Sequence, residues 1–273
     1  MSQIISHLKQ TRKPIIGSFI ALTGLLLIVG LAIWPSATAL AQDGPASQQS
    51  NADFDAGTTA LEDENIGSAI ESFTRACDDQ HLPSCASLGK IYQNNGKGVF
   101  DPDRSVELFA KACDGGYMPG CVDLGAQLMV FPSSDDIARA YITFTKACDS
   151  GNLDGCAHLG NLYMRDRNFS TALELLTKAC NGENTLGCFN LARLYETATF
   201  GQQNFDRARE AYESACHKNH YGACYGLSTL LGTVFDDHDG RATYVSKACE
   251  ISVEQNGHRA SAACVEVLMS GLQ

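Results

Sequence analysis

Residues 85–121, CASLGKIYQNNGKGVFDPDRSVELFAKACDGGYMPGC, hold one full unit of a pattern that runs through most of the chain. Leu88 and Tyr92 stand four apart, on one face of a helix, with the small residue Gly89 between them. Glycine inside a helix costs about 1 kcal/mol relative to alanine, so it needs a packing reason, here the close approach of a neighbouring helix. Residues 94–102 (NNGKGVFDP) break the periodicity. Asp101 is placed to cap a second helix and Pro102 to occupy its first turn. That helix carries the apolar stripe of SVELFAKAC and ends at Cys113, after which Asp114-Gly115-Gly116 turns the chain towards Cys121. The unit is therefore helix, loop, helix, tight turn.

The same grammar recurs outwards in both directions. The cysteines fall in pairs, 77/85, 113/121, 148/156, 180/188, 216/224 and 249/264, the first five with spacing C-x7-C. Successive first members are 36, 35, 32, 36 and 33 residues apart, a period that marks stacked repeats. Each first cysteine follows an apolar pattern, as in SAIESFTRAC (to Cys77), TALELLTKAC (to Cys180) and RAREAYESAC (to Cys216). After Cys121, Cys156, Cys188 and Cys224 the Leu-plus-small-residue signature returns with Gly125, Gly160, Ala192 and Ser228. A single helix pair of this length cannot bury its stripe alone, whereas stacked neighbours bury it jointly. The expected fold is all-α, an α/α superhelical solenoid, right-handed with a concave inner surface. About six helix-turn-helix repeats from roughly residue 52 precede a capping helix near 258–270. Residues 42–51 (QDGPASQQSN) read as a disordered linker, and 52–273 as the repeat domain.

Residues 1–41 read as an export signal. Lys9 to Lys13 form a basic stretch, an apolar run follows from Ile15 to Trp34, and Ala39-Leu40-Ala41 supplies an Ala-x-Ala site before Gln42. Cleavage after Ala41 is the first expectation. The run is about 20 residues, enough to span a bilayer, so an uncleaved inner-membrane anchor facing the periplasm is the alternative. Both place the rest outside the cytoplasm, periplasmic or secreted, because basic flanks stay inside. All twelve cysteines lie beyond this segment, and an even count in an exported chain is read as a disulfide framework. The nearest-neighbour pairs are the expected bridges: Cys77–Cys85, Cys113–Cys121, Cys148–Cys156, Cys180–Cys188, Cys216–Cys224 and Cys249–Cys264. One cysteine ends a helix and its partner sits in the first turn of the next, which suits bridge geometry. Each C-x7-C loop would contribute roughly 2.5 kcal/mol in the chain-entropy model. Zinc sites prefer gaps of about two to four residues, and no metal or other cofactor is expected.

These residues resemble a Sel-one-like repeat, a relative of the tetratricopeptide repeat. Cysteine at two of the small-residue positions makes the chain similar to the Hcp-type cysteine-rich family of secreted bacterial proteins. The resemblance spans about residues 52–270 and departs from the pattern at Ala192, Ser228, the clipped loop at 165–168 and the last unit. It implies disulfides within the repeats and a role as a binding scaffold or adaptor. It also implies, for some relatives, a β-lactamase or penicillin-binding label.

The residues do not support that enzymology. S-x-x-K occurs at Ser87–Lys90 but also at Ser6–Lys9 inside the export signal, Ser150-Gly151-Asn152 meets only the looser S-x-N, and K-[ST]-G is absent. No catalytic residue is assigned, and β-lactam hydrolysis stands as the alternative function, with cofactor handling a further one. His217 and His220 lie in a turn, and Asp236 to Asp239 read as an acidic helix start. The net charge of −11 argues against nucleic acid as a partner. The expected partner is a protein or peptide, bound by a monomer, with membrane contact only through an uncleaved N-terminal segment. In tetratricopeptide-like repeats the first helix of each pair lines the concave face. Transferring that rule gives Ser87 and Lys90, Asp123 and Ala126, His158 and Asn161, Asn190 and Arg193, Gly226 and Thr229. Asn161, Asn190 and Arg193 are expected to grip a peptide backbone or carboxylate, with Tyr225 as an aromatic anchor.

Overall fold

The computed structural model describes residues 45–94, 99–197, 204–256 and 262–270. The chain divides after Gln42, and all described residues belong to the second unit, Asp43–Gln273. That unit is all-helical, with thirteen helices and no strand among the described residues: α1 (Pro45–Glu62), α2 (Ile66–Asp78), α3 (Leu82–Gln93), α4 (Pro102–Asp114), α5 (Met118–Leu128), α6 (Ser134–Asp149), α7 (Leu153–Arg165), α8 (Phe169–Asn181), α9 (Thr185–Glu196), α10 (Phe205–His217), α11 (Tyr221–Thr233), α12 (His238–Asn256) and α13 (Ala262–Ser270). Each helix packs chiefly on its chain neighbours, so six helix pairs and a closing helix stack as a solenoid.

The expected export signal or anchor at 1–41 lies outside the described residues. Among those described, no helix is long and apolar enough to cross a membrane. The 42–51 spacer is corrected in its described part, because α1 begins at Pro45. Ser50 and Asp53 are buried, and Asp53 accepts hydrogen bonds from the Arg75 guanidinium on α2 at 2.8 and 3.1 Å. That pairing ties the segment down and, with the Gln49 amide, holds the Asp53 carboxyl below its usual range. The closing helix starts at Ala262, inside the expected 258–270; residues 257–261 are outside the described ones.

The even-numbered helices explain the repeated stripe. Ala69, Phe73 and Ala76 are buried on α2, and Ala140, Phe144 and Ala147 on α6; Ala172, Leu176 and Ala179 follow on α8. The large member of each set meets the glycine of the preceding odd-numbered helix. A Cβ added to Gly89 would stand 2.7 Å from the Phe109 ring, and one on Gly125 would stand 2.6 Å from Phe144. Gly57 against Phe73 and Gly160 against Leu176 repeat the contact, so these glycines are there for close approach.

All six expected disulfides are present, with Cα atoms 4.4–4.8 Å apart. In the five C-x7-C turns the third residue after the first cysteine has positive φ. Gly116 and Gly151 take it freely, whereas Gln80, Glu183 and Asn219 take it with side chains. The buried side chains form two clusters, the first drawn mainly from α2 to α7 and the second from α8 to α13. Tyr163 of α7 packs against both, which places the seam where α7, α8 and α9 meet.

Candidate ligand-binding wall

The odd-numbered helices form the inner layer. The backbones of α3 and α5, of α5 and α7 and of α7 and α9 approach closely, whereas the even-numbered helices are bridged by long lysine side chains without a comparable backbone approach. Closer spacing on one side of a curved stack marks the inside of the curve. Polar bridges cross this layer between successive units. The Lys90 ammonium stands 3.1 Å from Asp123 Oδ2 as an ion pair, and Gln93 Nε2 donates to Gln127 Oε1 at 2.7 Å. Asn184 Nδ2, at the N-terminus of α9, donates to Asp154 Oδ1 of α7 at 2.6 Å. Lys90 is thus engaged by Asp123, one unit away.

The two transferred positions behave differently. Those just after the small residue stay open: Lys90, Arg193 and Thr229 are exposed, and Ala126 and Asn161 half-buried. Those just before the leucine turn towards the even-numbered layer. His158 stacks on Phe144 at 4.9 Å with ring planes 9° apart, and burial holds its pKa below the ordinary value. A Cβ on Gly226 would meet the Tyr212 ring at 2.8 Å. Asn190 is 3% exposed, which corrects its assignment to the gripping cluster: it belongs to the interior. Ser87 and Asp123 are half-buried. Tyr225, also half-buried, lies parallel to Tyr221 with centroids 6.2 Å apart.

Asn161 and Arg193 do come together. They line an open depression of about 390 Å³ between α7, α8 and α9, at the core seam. Only three residues, Asp166 to Asn168, join α7 to α8, against eight between α3 and α4, so these helix ends stand uncovered. Met164 and Phe169 supply an apolar floor, and Arg165 and Arg167 add two guanidinium groups that no repeat rule points to. Glu196 also lines the site, but its carboxylate accepts a 2.5 Å hydrogen bond from Tyr212 Oη. Burial first, and this bond second, push the Tyr212 phenol well above its usual pKa.

His220 is the N-cap of α11, where its Nδ1 accepts from the Ala223 N–H at 3.0 Å, and burial lowers its pKa. Asp237 caps α12 through the Gly240 N–H, as the acidic helix start at 236–239 implies. Among the described residues no three of His, Cys, Asp and Glu gather as metal ligands.

Comparison with known proteins fits this architecture. The family model of the Sel1 repeat matches residues 82–117, 154–184 and 185–220. No curated protein matches the sequence. Among solved structures, a Sel1 repeat protein from Oxalobacter formigenes superposes with TM-score 0.65 at 18% identity, over 75% of this chain and 87% of that one. The protective antigen c5321 of uropathogenic Escherichia coli, which displays an SLR fold, gives TM-score 0.63 at 20% identity over 85% of this chain. This chain spans half the length of c5321. The immunity protein Pa5087 from Pseudomonas aeruginosa gives 0.53 at 19% identity, over 80% of this chain and 87% of that one. At these identities the likeness is one of fold. Three stretches of this chain match the Sel1 repeat, and the disulfide-stapled solenoid they belong to shares its fold with solved Sel1 repeat proteins.

Proposed function

We propose that the chain is an exported scaffold that recognises a protein or peptide along the inner wall of its odd-numbered helices. The observation that carries this is the meeting of Asn161 and Arg193, from successive units, in one open depression on that wall. Repetition of the same position at Lys90, Ala126, Asn161, Arg193 and Thr229, exposed at three and half-buried at Ala126 and Asn161, makes a row long enough for an extended segment. Six disulfides suit an oxidising compartment, and together with the signal-like residues 1–41 they support a periplasmic or secreted location. Affinity capture with the full-length oxidised chain tests the reading. A partner retained by the native chain and weakened by Arg193→Ala or Asn161→Ala supports it. Capture unaffected by both, or no specific partner, overturns it.

A further inference from the structure

We infer that the depression between α7, α8 and α9 takes the carboxylate of an acidic peptide segment with an apolar neighbouring side chain. This deepens the scaffold reading and rests on it. The chain as a whole is acidic, with 31 Asp and Glu against 20 Lys and Arg, yet three arginines line this one depression. Among the described residues, none of the guanidinium groups of Arg165, Arg167 and Arg193 forms an ion pair or a hydrogen bond. Arg193 lies over the Phe189 ring at 5.6 Å, which fixes its guanidinium plane and leaves its donors open.

Capping does not use these arginines either. The last carbonyls of α7 are taken by backbone: Asp166 N–H donates to Leu162 O, Arg167 N–H to Met164 O, and Asn168 N–H to Tyr163 O. Thr197 N–H and Oγ1 both reach Leu194 O at the end of α9. Elsewhere in the fold, basic side chains at helix ends do cap, as Lys111, Lys146 and Lys178 show. The three guanidinium groups are therefore unspent cationic forks, the geometry that pairs carboxylates bidentately.

The rest of the lining selects among anions. The net charge is −11, so a long polyanion such as nucleic acid would be repelled over most of its length, whereas a short segment meets chiefly the three arginines. Met164 and Phe169 offer apolar area for a side chain beside the bound carboxylate. Asn161 can donate to and accept from a peptide backbone.

The test is fluorescence anisotropy of the full-length oxidised chain with a labelled octapeptide alternating aspartate and leucine. Its asparagine counterpart, inorganic phosphate and a short oligothymidylate serve as competitors. The expected result is binding of the aspartate peptide, weakened by salt, with about a tenfold or greater loss for Arg165→Gln/Arg167→Gln/Arg193→Gln. Circular dichroism and thermal melting of the triple variant should match the native chain, which separates lost binding from lost fold. Equal affinity for the asparagine peptide, tighter binding of oligothymidylate or phosphate, no binding, or an unaffected triple variant would each overturn the assignment. The scaffold reading would outlive that failure if Asn161→Ala still weakened the captured partner, and would fall only with the capture experiment.

Discussion

The ammonium of Lys146 on α6 lies 2.7 Å from the carbonyl oxygen of Cys113 on α4. The same bond joins Lys111 to Cys77 O at 2.9 Å and Lys178 to Cys148 O at 3.3 Å. Lys111, Lys146 and Lys178, each in a Lys-Ala-Cys segment, thus cap the even-numbered helix one unit back. Each adds a second donor to a C-terminal carbonyl that already accepts a turn N–H, as Cys113 O does from Gly116 at 3.0 Å, and meets the negative end of the helix dipole. At the next step Ser214 replaces the lysine, and Lys218 instead reaches Glu183 O at 2.8 Å and its carboxylate at 2.9 Å.

Lys146→Met should keep the packing of the stem and lose this cap. The expected cost is roughly 1 kcal/mol, since the lysine is half-exposed and water can partly replace it. Urea denaturation of the two proteins measures it. Unchanged stability would show that the carbonyl is equally well served by solvent.

Gly155 sits against Ala147 where two helices join at Cys148–Cys156. A Cβ there would stand 2.6 Å from Ala147 Cβ and 2.9 Å from the Cys148 nitrogen. Bridges preceded by Gly120, Gly155 and Gly187 hold their Cα atoms at 4.4, 4.5 and 4.4 Å, against 4.8 and 4.7 Å where Ser84 and Ala223 precede. Gly155→Ala should therefore cost about 1–3 kcal/mol through overpacking. Adding Ala147→Gly should recover part of the loss in thermal melts.

His220 makes the fold acid-sensitive. Its neutral ring accepts the Ala223 N–H at the positive end of α11, and burial holds its pKa below the ordinary value of about 6.5. Above that value both folded and unfolded forms are neutral and the stabilisation is complete. As pH falls, the unfolded chain protonates first, so stability declines until the folded pKa is passed. His81 and His158 are shifted in the same direction, also by burial. Asparagine occupies the equivalent caps at Asn152 and Asn184, so His220→Asn should keep the cap and flatten the decline between neutral and mildly acid pH. Parallel pH-stability curves for the two proteins would contradict this.

Gln80 has φ of +68° in a hairpin turn where Gly116 and Gly151 stand in the matching units. Left-handed backbone costs a residue with a side chain roughly 1–2 kcal/mol, partly offset by the entropy that glycine gains on unfolding. Gln80→Gly should stabilise by about 0.5–1 kcal/mol, read as a rise in Tm. A fall in Tm would mean that the Gln80 side chain contributes more than its strain costs.

Cysteine spacing made the helix pairs and the bridges legible, because each pair marks a helix end and a helix start. Gly89, Gly125 and Gly160 likewise announced close contacts, which proved to be with Phe109, Phe144 and Leu176. The start of α1 was hidden because it has no cysteine. A signal was nevertheless there: Asp53 precedes Gly57 by four residues, as Cys85 precedes Gly89, and takes the cysteine's place with an ion pair to Arg75. Asn190 and His158 escaped because one residue of helical twist separates an open position from the seam with the next layer. Arg165 and Arg167 flank a short loop that a helix-position rule does not reach. The lysine caps were visible as repeated Lys-Ala-Cys, but their partners lie 30 to 34 residues away and meet only in the stack.

Photo-crosslinking in the native cell tests the central claim, that the inner wall is the working surface. A benzophenone side chain at Thr229 on that wall is compared with one at Ile142, exposed on the even-numbered helix α6. The account predicts a discrete crosslinked partner from position 229 and none from position 142. Crosslinks from 142 alone would place recognition on the other layer and contradict it.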